Sequence, residues 1–137
     1  MYKENYIFPA IIEKLAENDY NVRFPDFDGI ITTGDNIGEA YSMAEDALSL
    51  ELFDLYSDKI DIPKETDITS ICVKENQTLI LVKVSLKEII KKYDDKAVKK
   101  TLTIPSWLNR LAIEENINFS QVLQNALEEK LKVKNMI

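Results

Sequence analysis

Lys99, Thr101 and Thr103 alternate with Leu102 and Ile104 in the run Lys99-Lys-Thr-Leu-Thr-Ile104, which Pro105 ends. At the period of a β-strand, the lysine and threonines share one face while the leucine and isoleucine share the other. Lysine and threonine can hydrogen-bond the edges of DNA bases, and a two-stranded ribbon carrying them fits the major groove. These three are candidate base-reading residues. Asn118, Phe119 and Ser120 are a second candidate group, because free amides opening an amphipathic helix can hold a backbone phosphate.

Asp19, Asp26, Asp28 and Asp35 suggest a different chemistry. Carboxylates that converge on divalent cations can activate water for phosphodiester cleavage. However, Asp26 and Asp28 flank a turn and Asp35 precedes a helix cap, where aspartate is favoured for local reasons. Facing a basic protein surface is a better use for such acids. Phe24, Asp26, Phe27, Asp28 and Asp35 together could offer such a partner aromatic area and negative charge. The sequence equally allows Phe24 and Phe27 to be core residues while the acids cap turns. The chain has no histidine, which removes histidine bases, Ser-His and Cys-His pairs and nearly every zinc site. No enzymatic activity, metal or cofactor is expected. Cys72 lies in the apolar run Ile71-Cys-Val73 and is expected to be a packed thiol in a reducing cytoplasm.

The elements that must position these residues follow from patterning. Tyr6–Leu15 is apolar and β-branched, a strand whose Pro9 favours a sheet edge or the strand's start. Ala16–Asp19 is a polar turn, and Tyr20–Phe24 should pair back as a hairpin. Pro25–Gly29 turns again before a short strand, Ile30–Thr33. Asn36 and Glu39 form a capping box ahead of Ile37, Ala40, Tyr41, Ala44, Ala47, Leu48, Leu52 and Leu55, a long amphipathic helix. Thr78–Val84 is nearly continuous in apolar character and so is expected at the centre of its sheet. Ile71–Val73 could add a short strand. Leu86, Ile89, Ile90 and Tyr93 fit a short helix, and Asp94–Ala97 a linker.

Beyond the ribbon strand, Leu108, Leu111 and Ala112 mark one helix face, with Trp107 at its rim. Asn116 suits the left-handed position that ends this helix. Asn118 and Gln121 cap a second helix with an apolar stripe of Val122, Leu123, Ala126, Leu127 and Leu131. A strand-helix-helix this small cannot bury its apolar residues alone, so two copies are expected to interlock. A helical-hairpin dimer without DNA shares the periodicity, but alternating Lys and Thr ahead of proline is more specific.

The 137 residues suit one domain, or one with an appendage, and 45% apolar content is ordinary for a globular protein. The N-terminus shows no signal-peptide pattern and no run is long enough to span a membrane, so a cytoplasmic protein is expected. The net charge of −7 is unevenly spread. Residues 97–137 carry six Lys/Arg against four Asp/Glu, and residues 1–96 eleven against twenty. An acidic body implies a basic partner, and a mildly basic tail implies phosphates.

A family resemblance is carried by Tyr20–Gly29 with Phe-Pro-Asp, Thr33-Gly-Asp-Asn-Ile-Gly-Glu-Ala40 and Ala44–Leu48, and then by Thr101–Asn109 followed by Asn118–Gln124. In this order they resemble the HicB-type antitoxins of bacterial type II toxin–antitoxin pairs over nearly all of residues 6–132. The resemblance implies an α+β protein. Residues 1–93 would form a degenerate ribonuclease H-like domain that masks HicA, a small basic mRNA-cleaving toxin. Residues 98–137 would form a ribbon-helix-helix that makes a homodimer, with room for higher assembly, and represses its own operon at operator DNA. One departure is Asn116, where the family often has glycine. The alternative is a stand-alone ribbon-helix-helix regulator whose body senses a ligand.

Overall fold

Asn18 lets the chain reverse early: it takes the left-handed conformation (φ 57°) between β1 (Asn5–Ala16) and β2 (Asp19–Phe24). Asparagine tolerates that region better than a bulkier residue. β1 and β2 pair antiparallel from Ile11–Arg23 down to the turn, with a bulge between Lys14 and Ala16. β3 (Phe27–Gly34) follows after Pro25 and Asp26 alone, so the second turn is shorter than expected, and Asp28 and Gly29 lie in the strand. The computed structural model describes residues 2–133. Met1 and residues 134–137, the last of the expected tail, lie outside the described residues.

The chain divides into two units between Asp95 and Lys96. The first holds a four-stranded antiparallel sheet in the order β3-β2-β1-β4, with β4 spanning Gln77–Ser85. Two sequence expectations change places here. β4 lies at an edge, and β1, which carries Pro9, lies inside. The proline is tolerated because β2 has already ended at Phe24 where Pro9 passes, so that side of β1 has no ladder partner there to lose. β4 reads as central because its apolar run serves both faces, yet Leu81 on the second face stays half exposed.

α1 (Ile37–Ser57) lies across one face of the sheet. Asn36 caps it as expected, its Oδ1 accepting from the Glu39 amide at 2.8 Å. Ala40, Ala44, Leu48 and Leu52 are fully buried against Tyr6, Phe8, Ala10 and Ile12 of β1, Val22 of β2 and Val82 of β4. α2 (Leu86–Tyr93) adds Leu86 and Ile89 to the same core. Between α1 and β4 runs an irregular segment with one 3-10 turn, Ile68–Ser70, and no strand at Ile71–Val73. Cys72 in this segment is exposed rather than packed, since no strand turns it inward.

Gly34 ends β3 where α1 crosses closest. A Cβ there would sit 2.4 Å from the Ala40 amide nitrogen and 2.7 Å from its Cα. Those are backbone atoms of a fully buried residue, so the helix itself would have to move. Gly34→Ala is therefore expected to cost about 1–3 kcal/mol, read as a lower thermal midpoint of a folded body.

The second unit contains α3 (Ser106–Glu114) and α4 (Phe119–Val133). Pro105 stands at the N-cap of α3, its carbonyl accepting from the Asn109 amide at 3.0 Å. Asn116 is left-handed (φ 55°), and Ile117 donates back to the Ala112 carbonyl at 3.0 Å, which closes the helix end. Residues 97–105 form no strand. A ribbon strand takes its ladder bonds from a second chain, and a single chain has none to offer. Among the described residues no helix is long and apolar enough to cross a membrane.

Candidate functional site

In the second unit every side chain described is exposed or, for Ala112 and Leu123, partly so. Leu102, Ile104, Leu108, Leu111, Val122 and Leu127 lie between 41% and 62% exposed. Six large apolar side chains exposed between Leu102 and Leu127 mark this surface as one suited to being covered by a partner. Lys99, Thr101 and Thr103 are exposed just ahead of α3. Asn118 caps α4 by accepting from the Gln121 amide at 3.1 Å, which leaves the Phe119 and Ser120 amides on the exposed first turn. Both sets of candidate nucleic-acid contacts thus lie on solvated surface, and both flank the apolar stripe.

The candidate patch on the body divides differently. Phe24 and Phe27 are buried in the core, packed edge-to-face with each other at 6.4 Å, and Phe27 meets Phe8 at 4.9 Å. They offer no surface to a partner. Asp26 is half-buried and turned inward on its own chain. Its carboxylate accepts from the Thr66 hydroxyl at 2.6 Å and from the Thr66 amide at 3.1 and 3.2 Å. It therefore pins the irregular segment before β4 to the β2–β3 turn. Charge reversal at Asp26 would disturb that anchor as well as the surface. Only Asp28 and Asp35 of the five residues stand exposed.

Asp67, next to the anchor, accepts from the amide and hydroxyl of Thr69, and those bonds hold its carboxyl below the usual aspartate range. It serves as a turn cap. Sequence reasoning had no access to the Thr66–Asp26 contact, which joins residues 40 apart. Among the described residues no group of three or more His, Cys, Asp or Glu side chains is placed to hold a metal ion. Asp19 opens β2, and Asp26 is occupied by Thr66.

A family model described as the HicB-like antitoxin of bacterial toxin–antitoxin systems matches residues 8–127. A chain in a solved toxin–antitoxin complex from Streptococcus pneumoniae is 29% identical, with a TM-score of 0.60. That match covers 92% of this chain and 99% of that one. The crystal structure of antitoxin HicB from Burkholderia pseudomallei matches at 21% identity and a TM-score of 0.54, covering 92% and 98%. The N-terminal domain of the latter, solved by itself, matches at 22% identity and a TM-score of 0.50, covering 59% of this chain and all of that one. These last two show likeness of fold. No curated protein matches the sequence significantly.

Proposed function

The chain belongs to the family of HicB-like antitoxins of bacterial toxin–antitoxin systems, and from that premise we propose a division of labour between its two units. The first unit, of degenerate ribonuclease H-like descent, binds and masks a HicA-type mRNA-cleaving toxin without catalysing a reaction of its own. The second pairs with its copy as a ribbon-helix-helix and represses the operon by binding operator DNA. The protein acts in the cytoplasm, where toxin, messenger and operator meet.

One observation carries the second half: among its described residues the tail has an exposed apolar stripe and no buried residue. Pairing two tails would cover that stripe and supply the missing ladder between the two copies of residues 99–104. The ribbon face then presents Lys99, Thr101 and Thr103 outward, and the first turn of α4 meets a phosphate. For the first half, the excess of nine acids over bases in residues 1–96 suits a basic toxin.

A ligand-sensing regulator would need an apolar pocket with a few converging polar groups. The groove beside α2, about 280 Å³, is lined by Glu45, Asp46, Lys83, Glu88 and Lys92 together with Val84 and Ile89, so a ligand titration of the body is what separates that reading from the antitoxin one.

Growth is the test of the toxin half. The small basic protein expected from a neighbouring reading frame should arrest cells when expressed alone. Co-expression with this chain should restore growth and allow the two to copurify; failure of both would refute the assignment. For the DNA half, replacing Lys99, Thr101 and Thr103 together by alanine should cost about 1–3 kcal/mol per lost base contact. Unchanged operator affinity in a gel-shift titration of that triple variant would move the reading face elsewhere.

A further inference from the structure

The direction of the backbone bonds identifies an open edge on the body. Lys14 donates across to Asn76 at 3.0 Å and Leu86 to Glu4 at 2.8 Å, so even-numbered residues of β1 face β4 and odd-numbered ones face β2. The pairs Ile11–Arg23 and Val22–Thr32 carry this alternation across the sheet. Thr32 and Gly34 therefore bond inward to β2, while Ile31 and Thr33 turn their N–H and C=O groups outward from the sheet. Among the described residues nothing bonds to those groups. Ile31 stands 67% exposed beside them.

Proteins usually shield such an edge with lysine, proline or a covering element. The other outer strand is shielded in this way. By the same alternation Leu81 and Lys83 face outward on β4, where the Tyr41 hydroxyl donates to the Leu81 carbonyl at 3.5 Å and Lys83 adds a charge. The stretch Gly29-Ile-Ile-Thr-Thr-Gly34 of β3 has no charge and no proline. Exposed acids stand at its two ends, Asp28 and Asp35.

We propose that this edge receives the toxin. An extended, basic segment of the partner adds as a fifth strand beside β3, bonds to the outward groups of Ile31 and Thr33, covers Ile31, and sets cationic side chains against Asp28 and Asp35. The assignment rests on the antitoxin reading above and deepens it. Strand addition draws affinity from main-chain bonds and specificity from the flanking side chains. A second copy of this chain fits the edge less well. Two β3 strands paired antiparallel about Ile31 would bring Asp28 of each within one residue of Asp35 of the other, and like charges across a ladder repel.

Hydrogen exchange on the full-length chain, free and bound to the basic protein from the neighbouring reading frame, tests this. The Ile31 and Thr33 amides should exchange at least about tenfold more slowly in the complex, while the Leu81 and Lys83 amides on β4 stay unchanged. In a matching variant, Ile31→Pro removes an outward N–H and no bond to β2, so the sheet should persist while affinity falls roughly tenfold or more. Leu81→Pro, the equivalent change on β4, should leave affinity intact. Ile31→Lys, which keeps the amide, should also weaken binding. A complex in which Ile31 and Thr33 exchange as in the free chain would overturn the edge assignment and leave the antitoxin reading standing. If the wild-type chain forms no complex at all, that reading fails and the edge assignment falls with it.

Discussion

Deleting residues 97–137 should abolish operator binding while leaving a folded body. Among the described residues the buried core cluster runs from Tyr6 to Ile89, all within the first unit, so the truncated chain keeps it. The domain from Burkholderia pseudomallei that was solved by itself has the same outline. Circular dichroism and thermal melting of the truncated chain should show an intact sheet with a cooperative transition. A gel-shift titration should show no specific complex at any concentration where the full chain saturates. Specific binding is typically about 4–10 kcal/mol stronger than non-specific binding, so the loss should be complete on that scale. Retention of operator binding by the truncated body would move the DNA-contacting function out of the tail.

Phe8→Ala should produce the largest loss of stability among single core changes in the body. Phe8 is fully buried in the first half of β1, stacked against Tyr6 at 6.3 Å and edge-to-face on Phe27 at 4.9 Å. Its removal leaves a cavity bounded by two rings that are themselves held by α1 and β3, so little can collapse to fill it. Large aromatic-to-alanine changes in such sites cost about 3–5 kcal/mol. For a unit of this size each kcal/mol lowers the melting temperature by roughly 4–8 °C. A chemical denaturation midpoint close to that of the parent chain would mean that Phe8 packs less tightly than its burial indicates. Ile31→Ala, on the exposed edge, is the neutral control for that measurement.

Local chemistry made much of this fold legible in the sequence. The caps at Asn36 and Asn118 and the left-handed Asn116 all depend on side chains and backbone only a few residues apart, and all three form. Only the asparagine half of each expected capping box is made, however, and Gln121 donates instead to Asn125. Lys59 also takes the left-handed position, at the end of α1, with Ile60 donating to the Leu55 carbonyl at 2.8 Å. Lysine gives no signal for that conformation. Strand order was less accessible, because an apolar run shows that faces are buried without showing which neighbours bury them. β4 and β1 exchanged roles for that reason. Cys72 was misplaced through its neighbours Ile71 and Val73, which belong to no strand. Within the candidate patch, only the fold could separate buried Phe24 and Phe27 from exposed Asp28 and Asp35, or show that Asp26 was already engaged by Thr66. Alternation of Lys99–Ile104 suggested a strand, but residues 97–105 form none in the single chain, where no neighbouring strand supplies a ladder.

That no described residue of the tail is buried has a consequence for dosage. A body with its own core keeps its shape at any dilution, whereas a unit that is dry only when covered follows mass action. Its order, and with it any grip on DNA, rises with the concentration of whatever covers the stripe. If that cover is a second tail, occupancy of the operator depends on protein abundance more steeply than one-to-one binding allows. Toxin capture as proposed for the self-sufficient body would carry no such dependence. On the proposed division of labour, one polypeptide would join a threshold-sensitive function to a proportional one.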